Sequence, residues 1–356
     1  MVYATGNNIA MMSANITQFI TSVVDFLTER DLINSPEKST VTLFTLNTKE
    51  YKIHPEVKIQ GHTVRLEQNP KLLGVTFDTM FNFSTHIKNT VTKAKSKLNI
   101  LKALAGSTWG QDKETIIITY KSIIRSTLEY AAPVWTPSVC PSNWERLESI
   151  QNQALRIASG CLLMSSSDHI HQECKVLPLK QHSQLLCKQY LAGTFLSNHP
   201  ENKILNNPPL RNLKKTARMY KTEVSEKFQA DLNLKQVIKC LHTDSVQTCL
   251  NNYKPNRVLQ SDPPEINPVE QTLTRRERSE LSRLRSGFSR RLKSYLCRID
   301  NKNMVQDRCP LCQESPHDTN HLFNCKVNPT TLTVITLWTR PKEAATFLKL
   351  NDEEEI

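Results

Sequence analysis

The stretch from Ser84 to Gly160 constrains the fold most, because it keeps a helical period throughout and is broken only by residues that start or stop helices. Ser84 can cap a helix whose apolar positions, Ile87, Val91, Ala94, Leu98, Leu101 and Leu104, recur every three or four residues. Lys88, Lys93, Lys95, Lys97 and Lys102 fill its remaining faces, and Gly106 is a natural stop. Asp112 opens a second helix carrying Ile116, Ile117, Tyr120, Ile123, Ile124 and Leu128, which Pro133 ends. Ser142-Asn143-Trp144-Glu145 reads as a capping box for a third, running through Leu147, Ile150, Ala154 and Ile157 to Gly160. Three helices on short connections pack antiparallel as a small bundle.

The flanks read differently. Ile9–Met12 is a short apolar run read as a strand, followed by a helix over Thr17–Glu29 with Ile20, Val23, Val24, Phe26 and Leu27. Val41–Thr45, Val57–Ile59, Thr63–Leu66 and Leu72–Phe77 are rich in β-formers and predict strands, the middle pair a hairpin around Gly61. Beyond the bundle, Pro208, Pro209, Pro255, Pro263, Pro264 and Pro268 sit in polar sequence, which predicts a mostly loose linker with a helical interlude near 221–250. The expected fold class is α+β, mostly helical. Its expected segments are a strand-and-helix unit over 1–80, helices over 81–200, a linker over 201–268, and a basic C-terminal segment over 269–350. The acidic run Asp352–Glu355 reads as a frayed tail.

Composition narrows the function classes. With 8 glycines and no GxGxxG or GxxxxGK[ST] run, the chain lacks the usual phosphate-cradling loops. No run of about 18 apolar residues predicts a membrane span, and Met1–Ile20 lacks the basic start of a signal peptide. Seven of the ten cysteines are scattered singly, which fits reduced thiols in an intracellular protein, nuclear or cytoplasmic. The net charge of +12 favours a polyanionic partner such as RNA or DNA.

Cys309, Cys312 and Cys325 cluster as Cys-x2-Cys-x8-His-x3-Cys with His321. Three thiolates and an imidazole suit tetrahedral zinc and leave no open position, so the expected site is structural. His317 rivals His321 for the fourth place. Directly upstream, Gln271–Arg298 carries nine positive side chains, Arg275, Arg276, Arg278, Arg283, Arg285, Arg290, Arg291, Lys293 and Arg298, against Glu277 and Glu280. Leu273, Leu281, Leu284, Phe288, Leu292 and Leu296 interleave at helical spacing. The segment therefore predicts one basic helix, apolar stripe inward and guanidinium groups outward towards phosphate. A solvated surface helix with ordinary salt bridges is the competing reading. No Asp-Asp or Asp-x-Asp pair sits on an expected strand, and His169 and His171 read as a surface or packed helix end rather than ligands.

Pro70–Asp78, Leu101–Gly106, Trp109-Gly110, Tyr130–Trp135, Ile150–Gly160, Leu284–Gly287, Cys309–Cys312 and Pro316–Cys325, in that succession, resemble motifs of jockey-type non-LTR retrotransposon reverse transcriptases. Pro70–Asp78 resembles the strand after the palm; Leu101–Gly106, Trp109-Gly110, Tyr130–Trp135 and Ile150–Gly160 resemble the thumb. Leu284–Gly287, Cys309–Cys312 and Pro316–Cys325 match the end of that family. The resemblance implies an RNA-directed DNA polymerase that primes on nicked chromosomal DNA. Residues 1–80 would then be a palm remnant, 81–200 a thumb with its extension, and 269–350 a basic helix with a zinc knuckle. It also implies a proton-donor role for Lys38 in Ser35–Ser39 and a primer grip at Leu73 and Gly74. Where the family has Tyr-Ala-Asp-Asp, this chain has Tyr3-Ala4 followed by Thr5-Gly6 or, shifted, Asn7-Asn8. Neither neutral pair can hold the magnesium ions of the intact family enzyme. The expectation is a C-terminal portion, truncated at its start, inactive alone and limited to binding RNA and DNA, with the rest of the element's polymerase as a partner. The alternative is a non-enzymatic, coopted or spurious fragment with a structural or interaction role.

Overall fold

A computed structural model describes residues 1–106, 109–194, 215–229, 232–299 and 306–350. Residues 201–214 of the expected linker and the acidic tail Asp352–Glu355 lie outside the described residues. The chain divides into two compact units, one formed by Met1–Asn89 with Val134–Asn143 and the other by Thr90–Pro133 with Trp144–Ile356.

In the first unit, helix α1 (Ile9–Thr28) begins eight residues before the expected start. The run Ile9–Met12 is its first turn and not a strand. The Asn8 side chain accepts from the Met11 N–H and supplies the cap that opens the helix there. Strand β1 (Thr40–Val41) pairs in parallel with β4 (Arg65–Leu66), while β2 (Lys58–Ile59) and β3 (His62–Thr63) form the expected hairpin. Strands β5 (Lys71–Leu72) and β6 (Val75–Thr76) form a second hairpin. Val24 of α1 packs on Val57, Ile59 and Val64, with Ile16, Ile20 and Val41 at the margin. Phe44, Phe77, Phe81 and Phe83 make an aromatic cluster, in which Phe44 stacks on Phe81 at 4.8 Å.

The second unit is helical. Helix α2 (Ser84–Leu104) meets α3, which runs as Lys113–Thr119, a π-helical turn Tyr120–Arg125 and Ser126–Leu128. Lys97 Nζ ties the two by donating to Ile123 O at 3.2 Å and Thr127 Oγ1 at 2.7 Å. Helix α4 (Pro141–Ser159) starts on its proline, so Ser142 lies inside the first turn instead of capping it. Tyr120 donates to Gln151 Oε1 at 2.7 Å between α3 and α4, among the buried Ile116, Ile124, Leu128, Leu147 and Leu155.

Helices α5 (Ser167–Cys174) and α6 (Leu179–Thr194) follow. Within the stretch read as a linker stand α7 (Lys215–Gln229) and α8 (Leu234–Asn252), the latter opened by an Asn233–Gln236 capping box. Leu185 and Ala192 of α6 share a core with Val224, Val237 and Leu241, so these helices are packed structure. The expected single basic helix is two: α9 (Arg275–Ser286) stops at Gly287 in the left-handed conformation, and α10 (Lys293–Ile299) restarts beyond it. Helices α11 (Thr319–Asn324) and α12 (Pro341–Phe347) close the fold. Leu281, Leu284, Phe288, Leu292, Phe323, Leu337 and Trp338 form the core that joins α9 to these last elements.

Candidate metal centre and basic surfaces

Cys309 and Cys312 lie on a tight turn in which Gln313 N donates to Cys309 O, and Cys309 N to Ser315 O, both at 2.9 Å. Asp318 caps α11 by accepting from His321 N at 2.8 Å, which fixes the helical turn that carries His321 towards Cys325. The four ligand atoms of Cys309, Cys312, His321 and Cys325 lie within 4.8 Å of one another. Cys309 Sγ and Cys325 Sγ are 3.9 Å apart, and Cys312 Sγ and His321 Nε2 3.3 Å. Zinc–sulfur bonds of about 2.3 Å in a tetrahedron put the sulfurs about 3.8 Å apart, so the residues present fit such an ion. The cluster could hold a metal such as zinc. The Cys312 thiol is drawn down to about 7, first by the Glu314 backbone N–H, which favours the thiolate a metal binds. His317 is not in the cluster: its Nδ1 accepts from Lys293 N at 3.1 Å.

The quartet is anchored to the helical core. Thr319 Oγ1 donates to Leu284 O at 3.1 Å, Asn320 Nδ2 to Val258 O at 3.2 Å, and Phe323 is buried beside Phe347. Among the described residues this is the one grouping of three or more His, Cys, Asp or Glu side chains able to hold a metal.

The arginines of α9 turn inward, opposite to the expected outward display. Arg285 is 0% exposed and binds Glu173, Glu270 and Leu337 O. Lys113 joins the same carboxylates, at 3.0 Å from Glu173 and 3.2 Å from Glu270. Arg278 grips Glu114 at 2.5 Å, and Arg283 binds Glu280 and Gly160 O. Arg275 donates to four carbonyls, those of Gly106, Gln111, Ile157 and Ala158. Arg291 donates to Leu348 O and Lys349 O. Arg276 and Lys293 are half-buried and Arg290 is exposed. Burial alone would raise the Glu173 carboxyl, but Lys113 and then Arg285 outweigh it and hold the group well below the usual carboxylate range. Glu114 and Glu173 lie far away in the chain, so a local window sees the cations and misses these carboxylates. Glu173, Glu270 and Lys113 carried no local sign of this role.

An exposed positive face lies on α2. Thr92, Lys95, Asn99 and Lys102 are exposed at helical spacing, Lys93 and Ser96 are exposed beside them, and no acid occurs in Ser84–Leu104. His169 and His171 are packed, as read: His169 Nε2 meets Ser282 O at 3.1 Å, and His171 Nε2 meets Gln151 Nε2 at the same distance.

At the start of the chain Thr5, Gly6 and Asn7 are exposed, and Asn8 is engaged as the α1 cap. Lys38 is exposed on a one-turn 3-10 helix, Pro36–Lys38. Leu73 and Gly74 form the tip of the β5–β6 hairpin with φ of 46° and 87°, and Leu73 is 85% exposed.

The chain is similar to curated RNA-directed DNA polymerases of insect non-LTR elements. It is 28% identical over 144 residues to the probable RNA-directed DNA polymerase from transposon X-element of Drosophila melanogaster, covering 40% of this chain and 15% of that protein. It is 22% identical over 209 residues to the corresponding protein of transposon BS from the same organism, covering 56% and 22%. The RNA-directed DNA polymerase from mobile element jockey, also of Drosophila melanogaster, is 26% identical over 148 residues, covering 42% and 16%. The chain thus spans less than a quarter of the length of each of these three relatives. No family profile and no solved structure matches it. Among the described residues no helix is long and apolar enough to cross a membrane.

Proposed function

We propose that this chain, a sequence relative of the RNA-directed DNA polymerases of non-LTR retrotransposons, supplies the part of such a polymerase that holds RNA and DNA. The reading rests on one observation above others: α2 presents Lys93, Lys95 and Lys102 on exposed faces of a helix without a single acid. A row of ammonium groups at helical spacing can follow a phosphate backbone, displacing its counterions. Arg290 and Arg298, which are exposed, and Arg276 and Lys293, which are half-buried, are positions of the C-terminal basic segment that keep surface to add to it. Cys309, Cys312, His321 and Cys325 would hold a structural zinc ion that fixes the end of the chain on the α9 core. In the same reading Leu73 and Gly74, at an exposed hairpin tip, are the primer grip, and Lys38 is the proton donor of the complete enzyme.

Polymerisation by this chain as given is not part of the proposal. Thr5, Gly6, Asn7 and Asn8 are neutral, and two magnesium ions need anionic oxygen ligands. Purified chain supplied with primer, template, nucleotides and magnesium or manganese is expected to leave the primer unextended; incorporation of nucleotides would contradict this. Fluorescence anisotropy with a labelled RNA–DNA duplex should give an affinity that falls steeply with salt. An affinity indifferent to salt, or no binding at low salt, would overturn the nucleic-acid reading.

A further inference from the structure

Four tryptophans occur in the chain, and three are core residues: Trp135, Trp144 and Trp338 are 0%, 5% and 2% exposed. Trp109 is 63% exposed. It sits on a loop that leaves the last turn of α2 and is closed by the Ala105–Gly110 bridge and by Gln111 N donating to Leu104 O at 2.9 Å. A Cβ on Gly106 would lie 2.5 Å from Trp109 Nε1, so the ring rests directly on backbone. Gly110 has φ of +106°, and a Cβ there would meet Leu104 O at 2.4 Å. From the protein side Arg275 holds both ends of the loop, donating to Gly106 O at 3.2 Å and Gln111 O at 3.0 Å.

A large apolar ring left in water forgoes the stabilisation that burial would give it. Here the ring rests on Gly106 with most of its surface outward, and Arg275 ties down the carbonyls of Gly106 and Gln111 on either side of it. Lys102, in the adjoining helical turn, and Lys95, two turns further back, belong to the acid-free exposed face. A fixed aromatic face next to a cationic track is the arrangement that single-stranded nucleic acid recognises, phosphates on the lysines and an unpaired base on the ring.

We propose that Trp109 is a stacking platform for an unpaired base of RNA or DNA at the end of the α2 lysine face, with Arg275 as the positioning residue beneath it. The inference rests on the nucleic-acid reading above and adds a ligand class to it, a base free of its pairing partner.

Tryptophan emission of the full chain, titrated with a thymidine oligonucleotide, tests it, alongside anisotropy of the same labelled oligonucleotide. The single strand is expected to quench the exposed indole, a blunt duplex much less, and Trp109→Phe to abolish the quench. Trp109→Phe keeps a ring and should bind close to wild type, whereas Trp109→Ala should bind about tenfold more weakly with an unchanged salt slope. Salt-dependent binding without quenching, and an Ala variant as tight as wild type, would overturn the stacking role and leave the nucleic-acid reading standing. No binding at all would overturn both. A concentration-dependent blue shift without oligonucleotide would assign the indole to contact between copies of the chain and also overturn the proposal.

Discussion

Arg285 is a positively charged residue with no surface, and its guanidinium binds two carboxylates that reach it from elsewhere in the chain. Lys113 and Arg285 balance Glu173 and Glu270, so removing one member strands an opposite charge in the interior. Arg285→Met is therefore expected to cost about 3–5 kcal/mol in urea unfolding. A variant as stable as wild type would show that the cluster contributes nothing net. The cluster also sets an acid limit. Because the Glu173 carboxyl is depressed in the folded chain, its contribution is present above the unfolded value of about 4.3 and is lost as pH falls below it. His171 acts in an earlier window. Burial lowers its imidazole to about 4, so between about pH 6.5 and 4 the unfolded chain takes up a proton that the folded chain refuses. That removes about 3 kcal/mol across the window, and His169, lowered chiefly by burial too, adds to it. Unfolding free energy measured against pH should decline from 6.5 downward, and less steeply in His171→Gln. Identical slopes would contradict the assignment.

Among the elements, those defined by local chemistry were legible in the sequence. The helices α2, α3 and α4 follow from their apolar period and from Gly106, Asp112 and Gly160, and the β2–β3 hairpin from Gly61. The metal quartet also follows from spacing, and geometry settles His321 over His317 because Lys293 N occupies the latter. Elements that depend on distant partners were not legible. The Gln271–Arg298 stretch read as an outward basic helix because Glu114 and Glu173, which help neutralise it, lie more than a hundred residues away, and Glu270 stands just before the stretch. The helical interlude expected near 221–250 takes in most of α8 and part of α7, but flanking prolines and polar composition hid its packing, in which Val224, Val237 and Leu241 meet Leu185 in a buried core. The α11 turn owes its anchoring to Leu284 O and Val258 O, so a metal held by the quartet would be coupled to the core. Cys312→Ser, or chelation of the wild type, should remove one equivalent of zinc and lower the melting temperature. Full zinc content in Cys312→Ser would contradict the ligand set.

In the whole molecule, the surplus of positive charge lies outside the buried ion pairs. Lys113, Arg278 and Arg285 pair with Glu173, Glu270 and Glu114, each pair removing an acid together with a base, so the net +12 is carried by the other side chains. Under the function proposed above, the exposed lysine face of α2 is the surface a polyanion meets. The most direct test compares Lys95→Gln/Lys102→Gln with Arg290→Gln, measuring RNA–DNA duplex affinity against salt for each. The double lysine variant is expected to bind more weakly and to lower the log–log salt slope by about two, while Arg290→Gln lowers it by at most about one. A double lysine variant with wild-type affinity and slope would contradict the account.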